Sequence, residues 1–161
     1  MDFILRLHWQ SGLAFMYRRW YTPNCMSEKP KFSTDSPNEG KRIPAIFYRT
    51  EAGGEPVRDW LKGLLPEDRK CIGEDIKTVE FGWPVGMPVC KPLSNGIYEV
   101  RSSLAQNQIA RVLFYIDNKS RMVLLHGFIK KTQKTPDEDL KLARRNKSKH
   151  QSGLKMKGGL Q

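Results

Sequence analysis

GIYEVRSSLAQNQIARVLFYIDNKSRMVLLHGFIK (residues 96–130) is the stretch that decides the fold. It contains three β-rich runs, Gly96–Ser102, Gln108–Asp117 and Arg121–Lys130, separated by polar breaks. Asp117-Asn118-Lys119-Ser120 is a turn signal between the last two, which predicts a hairpin. Side chains alternate along a strand. In the first run Ile97, Glu99 and Arg101 share one side, and Tyr98 and Val100 the other. In the second, Ala110, Val112, Phe114 and Ile116 form an apolar set, and Ile109, Arg111, Leu113 and Tyr115 form the opposite one. One face must pack on helices. The reading therefore expects an open second face carrying Glu99, Arg101 and Arg111, with Tyr115 beside them.

Upstream, IPAIFYR (43–49) is short, β-rich and closed by Thr50 and Gly53-Gly54, a further strand. A helix opens at Glu55-Pro56, where Val57, Trp60, Leu61, Leu64 and Leu65 fall on one face of a 3.6-residue period. Pro66 starts a second helix in its first turn, where a missing N–H does no harm. Ile72, Ile76 and Val79 form its stripe and Gly82 ends it. With almost no loop between them, the two helices are expected to form an antiparallel hairpin. Residues 82–92, with three prolines, read as a loop. After Lys130 a third helix follows, with Thr135 as N-cap and Pro136 in its first position. Asp137, Glu138 and Asp139 suit the positive end of its dipole. The order β-α-α-β-β-β-α predicts an α+β fold: a small, mostly antiparallel sheet on a helical hairpin, with a C-terminal helix.

The expected domain spans residues 43–150. Residues 1–42 read as a disordered or over-extended leader, with Met26 an alternative start, and residues 151–161 as a disordered basic tail. The leader's start is apolar but is broken by Arg6, His8 and Gln10, which argues against a signal peptide. Across its 161 residues the chain has 28 Lys+Arg against 17 Asp+Glu, a net charge of +11 that suits a polyanionic partner such as nucleic acid. The three cysteines, Cys25, Cys71 and Cys90, form no CxxC pair, which argues against a zinc ribbon or disulfide framework and for a reducing compartment. No Walker A or HExxH motif occurs. No apolar run is long enough for a membrane span.

The candidate chemistry lies on the sheet. Glu99, Arg101 and Arg111 are either a solvated cross-strand ion-pair group or a phosphate site. LLHGFIKKTQKTP (124–136) ends a strand in Lys130, Lys131 and Lys134, interleaved with hydroxyls. These are phosphate contacts, and Phe128 and Tyr115 offer rings for stacking on a base. The plainer alternative is a solvated strand end. His126 reads as a hydrogen-bonded core histidine, because no carboxylate is paired with it in the sequence.

IYEVRS (97–102), IARVLFYI (109–116) and LLHGFIKKTQKTP (124–136), with PVRDWLKGLLPEDR (56–69) before them, resemble the RelE/HigB-like toxin family in its phage-derived subgroup. The resemblance runs from about Ile43 to about His150. It implies a cytoplasmic type II toxin, a ribosome-dependent mRNA endonuclease that attacks phosphate with a ribose 2′-OH, without metal or cofactor. The partners it implies are a cognate antitoxin, expected to be a helix-turn-helix protein, and the ribosome with its mRNA; no membrane is involved. Carried onto this chain, Arg101 and Arg111 are phosphate-stabilising cations and Lys130 is an acid–base or RNA-positioning group, with Lys131 and Lys134 positioning RNA. Glu99 is either a base or a residue that orients Arg101. The competing reading is a ParE-like gyrase inhibitor, similar in fold but acting by protein binding; a plain nucleic-acid-binding module is the third.

Overall fold

The computed structural model describes residues 40–130 and 136–158, leaving aside the side chains of Lys130 and of residues 155–158. Nearly all of the expected leader, Lys131, Lys134, Thr135 and the last three residues lie outside the described residues. The elements are β1 (Ala45–Phe47), α1 (Pro56–Lys62), α2 (Pro66–Gly82), β2 (Cys90–Pro92), β3 (Tyr98–Ser103), β4 (Ile109–Ile116), β5 (Met122–Lys130) and α3 (Asp137–Gly158). The fold is α+β, as expected. Five strands lie in the order β1-β5-β4-β3-β2. β1 runs parallel to β5, and every other pair is antiparallel.

The β4–β5 turn forms as its residues dictate. Asp117 Oδ1 accepts the Lys119 and Arg121 backbone N–H groups, both at 2.9 Å. Its Oδ2 accepts Arg121 Nε at 2.8 Å and Nη2 at 2.6 Å. Burial pushes the Asp117 pKa up, but these bonds outweigh it and leave the carboxyl below its ordinary value.

α1 and α2 pack on one sheet face. Val57, Ile72, Ile76 and Val79 meet Val100, Val112, Phe114, Met122 and Leu124, with half-buried Trp60, Leu61 and Leu64 against them. Leu65, expected on the same stripe, is instead exposed. The first helix stops at Lys62 and Gly63 caps it, so the period does not carry on to Leu65. Residues 90–92, expected as loop, form the edge strand β2; Pro92 is tolerated there because it sits at the strand's end on an edge. Pro136 precedes α3, and its carbonyl accepts the Leu140 N–H.

Gly127 explains part of the HGF sequence. A Cβ at this position would overlap the Trp60 indole. The glycine lets α1 lie directly on β5. Gly127→Ala is therefore expected to lower stability by about 1–3 kcal/mol through overpacking. Thermal melts of the variant check this, and an unchanged melting temperature would contradict it.

The largest departure is on the second face. It is not open along its length: α3 covers Ile97, Leu113, Tyr115, Val123 and Leu125 with Ala143 and Leu140. Asn146 Nδ2 donates to the Leu125 carbonyl at 2.9 Å, and Lys147 Nζ to the Asn95 carbonyl at 2.6 Å. Arg144 Nη2 donates to Ser94 Oγ at 2.7 Å. Two cations of α3 thus hold the helix against the turn before β3. The helix continues to Gly158, past residue 150, where the expected domain ends.

Candidate active site

Strand register arranges this end of the second face in rows. Glu99 lies opposite Leu113, and Leu113 opposite His126. In the next row Arg101 lies opposite Arg111, and Arg111 opposite Phe128. Beyond it are Ser103, Ile109 and the backbone of Lys130. An irregularity in the β4–β5 register after Leu113 shifts β5 so that His126 and Phe128 stay on this face. Their rings stack with centroids 5.6 Å apart.

Glu99 is fully buried. Its Oε2 accepts Arg111 Nη1 at 2.6 Å, and Arg111 is only 5% exposed. Its Oε1 lies 3.7 Å from Arg101 Nε. One carboxylate thus faces two guanidinium groups, leaving one positive charge in surplus. Arg101 is the looser of the two, its side chain 24% exposed. Its Nε has no hydrogen-bond partner among the described residues, and its Nη1 lies 3.7 Å from Met87 Sδ. Arg111 is anchored, whereas Arg101 has donor capacity to spare.

The structure therefore brings together Glu99, Arg101, Arg111 and Phe128, with the Lys130 backbone at the same end. Tyr115 stands apart. It is 2% exposed beneath α3, and its hydroxyl shares a 2.6 Å hydrogen bond with His150 Nδ1. Lys147 Nζ lies 5.1 Å from its ring centroid. The expected stacking of a base on Tyr115 is thus blocked by the helix. Burial, with help from Asp117, pushes the Tyr115 phenol up to about 12.

Sequence reasoning missed a carboxylate. His126 Nε2 lies 2.8 Å from Asp139 Oδ1, with side-chain exposures of 19% and 24%. Asp139 was read only as a favourable charge in the first turn of a helix. Nothing in the sequence shows that this turn docks beside β5.

His150 gives a pH prediction. Burial lowers its pKa below the ordinary 6.5, and Arg121 adds to this while Asp117 opposes it. The unfolded chain then binds the proton more readily. The stability from neutral His150 is fully present above about pH 6.5 and is lost as pH falls below it. The melting temperature of the wild type is expected to drop by more between pH 7.5 and 5.5 than that of His150→Gln. Equal drops would contradict this.

Cys71 and Cys90 are buried, and the Cys71 thiol donates to the Ser103 carbonyl at 3.4 Å. Burial, then the Glu99 charge, raises the Cys90 thiol to about 11, so it is un-ionised near neutrality. Among the described residues no helix is long and apolar enough to cross a membrane, and no three His, Cys, Asp or Glu side chains form a group fit to hold a metal.

The mostly antiparallel sheet of this small α+β protein thus ends in a guanidinium pair around a buried carboxylate, followed in the sequence by a lysine-rich segment. Residues 59–148, more than half of the chain, match the family described as Phage derived protein Gp49-like (DUF891), and the chain belongs to that family. It is a toxin-like family of the toxin–antitoxin type, related to RelE and HigB, and membership implies a cognate antitoxin. No curated protein matches the chain.

Proposed function

We propose that the protein is the toxin of a type II toxin–antitoxin pair and acts as a ribosome-dependent mRNA endonuclease, by attack of a ribose 2′-OH on the adjacent phosphate. The observation that carries this reading is the row Arg101–Arg111–Phe128 over buried Glu99. A phosphate held at Arg101 has a forked donor at hand and an aromatic edge beside it for the neighbouring base. Positive charge is needed most as the phosphorane forms, and a guanidinium fixed before the reaction supplies it without reorganisation.

The roles divide by accessibility. Arg101 contacts the phosphate. Arg111 neutralises Glu99 and keeps the site from carrying a bare buried charge. Glu99, enclosed and turned toward two guanidinium groups, orients them; it has no route to a 2′-OH, which favours the orienting reading over the base. Phe128 flanks the bound nucleotide, while Lys130, Lys131 and Lys134 hold the RNA backbone as point charges. The antitoxin is expected to carry an acidic or apolar segment against this end of the sheet, with salt-sensitive association.

The test is to incubate purified protein with ribosomes stalled on a defined message, and in parallel with DNA gyrase. Cleavage of the message in the presence of ribosomes, weakened by added salt, supports the reading. Intact message with inhibited gyrase would replace it with the ParE-like alternative.

A further inference from the structure

Three features of the described residues lie outside the roles given above: the cavity between Tyr48–Gly53 and the end of α3, the exposed basic side chains of α3, and the His126–Asp139 pair. The cavity, lined by Tyr48, Arg49, Thr50, Glu51, Lys149 and His150, carries both signs of charge and singles out no ligand class. The basic side chains fit any polyanion. The pair has a specific geometry, and it lies next to the phosphate site.

We infer that His126 is the general base of the cleavage step and that Asp139 positions it, an inference that rests on the endonuclease reading above. His126 occupies the row beside Arg101–Arg111–Phe128 and faces the same side of the sheet. Its place is fixed from two directions. The Phe128 ring stacks on one face of the imidazole at an interplanar angle of 20°, and Asp139 Oδ1 takes the hydrogen bond of Nε2 at 2.8 Å. A carboxylate accepts only, so with Asp139 ionised the Nε2 must carry a proton. The remaining nitrogen, Nδ1, then presents a lone pair. Nδ1 has no hydrogen-bond partner among the described residues. An imidazole oriented through one nitrogen by a carboxylate, with the other nitrogen left to take a proton, is the arrangement that activates a hydroxyl nucleophile in other hydrolases.

The step balances as follows. Nδ1 takes the proton of the 2′-OH, the 2′ oxygen bonds to phosphorus, and the bond from phosphorus to the 5′ oxygen breaks. The departing 5′ oxygen takes a proton from solvent. The products are a 2′,3′-cyclic phosphate and a 5′-hydroxyl end. The imidazolium left behind is paired with Asp139 and returns its proton to water. Asp139 touches no reacting atom and is a positioning residue.

A plain structural strut between α3 and β5 would show the same hydrogen bond, so the test must separate the two. His126→Gln keeps a hydrogen-bonding side chain but cannot take the hydroxyl proton. It is compared with wild type and Asp139→Asn in single-turnover cleavage on stalled ribosomes, across pH, alongside thermal melts. The expected result is a loss of about 10²–10⁴ in rate for His126→Gln. A rise of rate with pH is expected of wild type and should vanish with it. Asp139→Asn should lose less and keep that rise. If His126→Gln melts early, His126→Ala with added imidazole is used instead, and recovery that grows with the basicity of substituted imidazoles supports the inference. Wild-type cleavage matched by folded His126→Gln, or a loss that only tracks the folded fraction with an unchanged pH profile, would overturn it. A wild-type protein that leaves the message intact would remove the endonuclease reading itself, and this inference with it.

Discussion

Arg101→Ala is expected to lower single-turnover cleavage on stalled ribosomes by about 10²–10³, the usual effect of losing one well-placed donor to a developing oxyanion. The melting temperature should stay within a few degrees of wild type. Both expectations follow from position. Arg101 is the exposed member of the guanidinium pair, its contact to Glu99 is a long 3.7 Å, and its Nε has no hydrogen-bond partner among the described residues. Removing it leaves Glu99 still paired with Arg111 at 2.6 Å. Arg101→Lys should recover only part of the rate, because an ammonium cannot span two phosphate oxygens as a planar fork does. Full activity in a folded Arg101→Ala protein would remove Arg101 from the chemistry.

Arg111→Ala should behave in the opposite sense. It is expected to destabilise the fold by about 3–5 kcal/mol, since it leaves a fully buried carboxylate without its closest cation. Glu99→Ala should also destabilise, by removing the carboxylate that Arg111 meets at 2.6 Å. Replacing both with apolar residues of similar volume, as in Glu99→Leu with Arg111→Met, should recover most of that stability, because neither charge is then buried alone. Activity should stay low in the double variant, since nothing then orients Arg101. Denaturant titrations of the two single variants and the double variant form a cycle that measures the coupling. A near-additive cycle would show that the pair is not the structural unit described here. The resemblance had assigned Arg111, with Arg101, as a phosphate-stabilising cation. Its 5% exposure shifts the expected effect toward stability.

The same residue shows what was legible in the sequence. The alternation of β3 and β4 put Glu99, Arg101 and Arg111 on one face, and the register bears this out. What alternation does not reveal is the cover. The run IARVLFYI has a single charged residue, and such near-continuous apolar character is a mark of a strand packed on both faces. That signal fits a helix over Leu113 and Tyr115, although α3 itself is rich in polar residues. Its docking relies on a few contacts, Ala143, Leu140 and hydrogen bonds from Asn146 and Lys147, that no periodicity rule weighs. Tyr115 was accordingly placed with the RNA-facing residues, although it belongs under the helix.

The helices were legible for a different reason. Pro66 and Gly82 are strong local punctuation, and α2 begins and ends on them. The edge strand β2 was not, because three residues that include a proline carry no pattern of their own and pair only because β3 is present. The His126–Asp139 contact joins residues from a strand and a helix across a segment outside the described residues. It depends on tertiary docking, which spacing along the chain does not encode.

Cleavage of RNA on the ribosome by the Arg101 end of the sheet is tested by the chemistry of the new ends. Message from stalled ribosomes treated with purified wild-type protein is mapped at nucleotide resolution, and both new termini are identified. The expected result is a discrete cut within the ribosome-bound part of the message, with a 5′-hydroxyl on one fragment and a 2′,3′-cyclic phosphate on the other, absent when ribosomes are omitted and strongly reduced with Arg101→Ala. An intact message under conditions where the protein arrests growth, or a cut that leaves a 5′-phosphate, would contradict it.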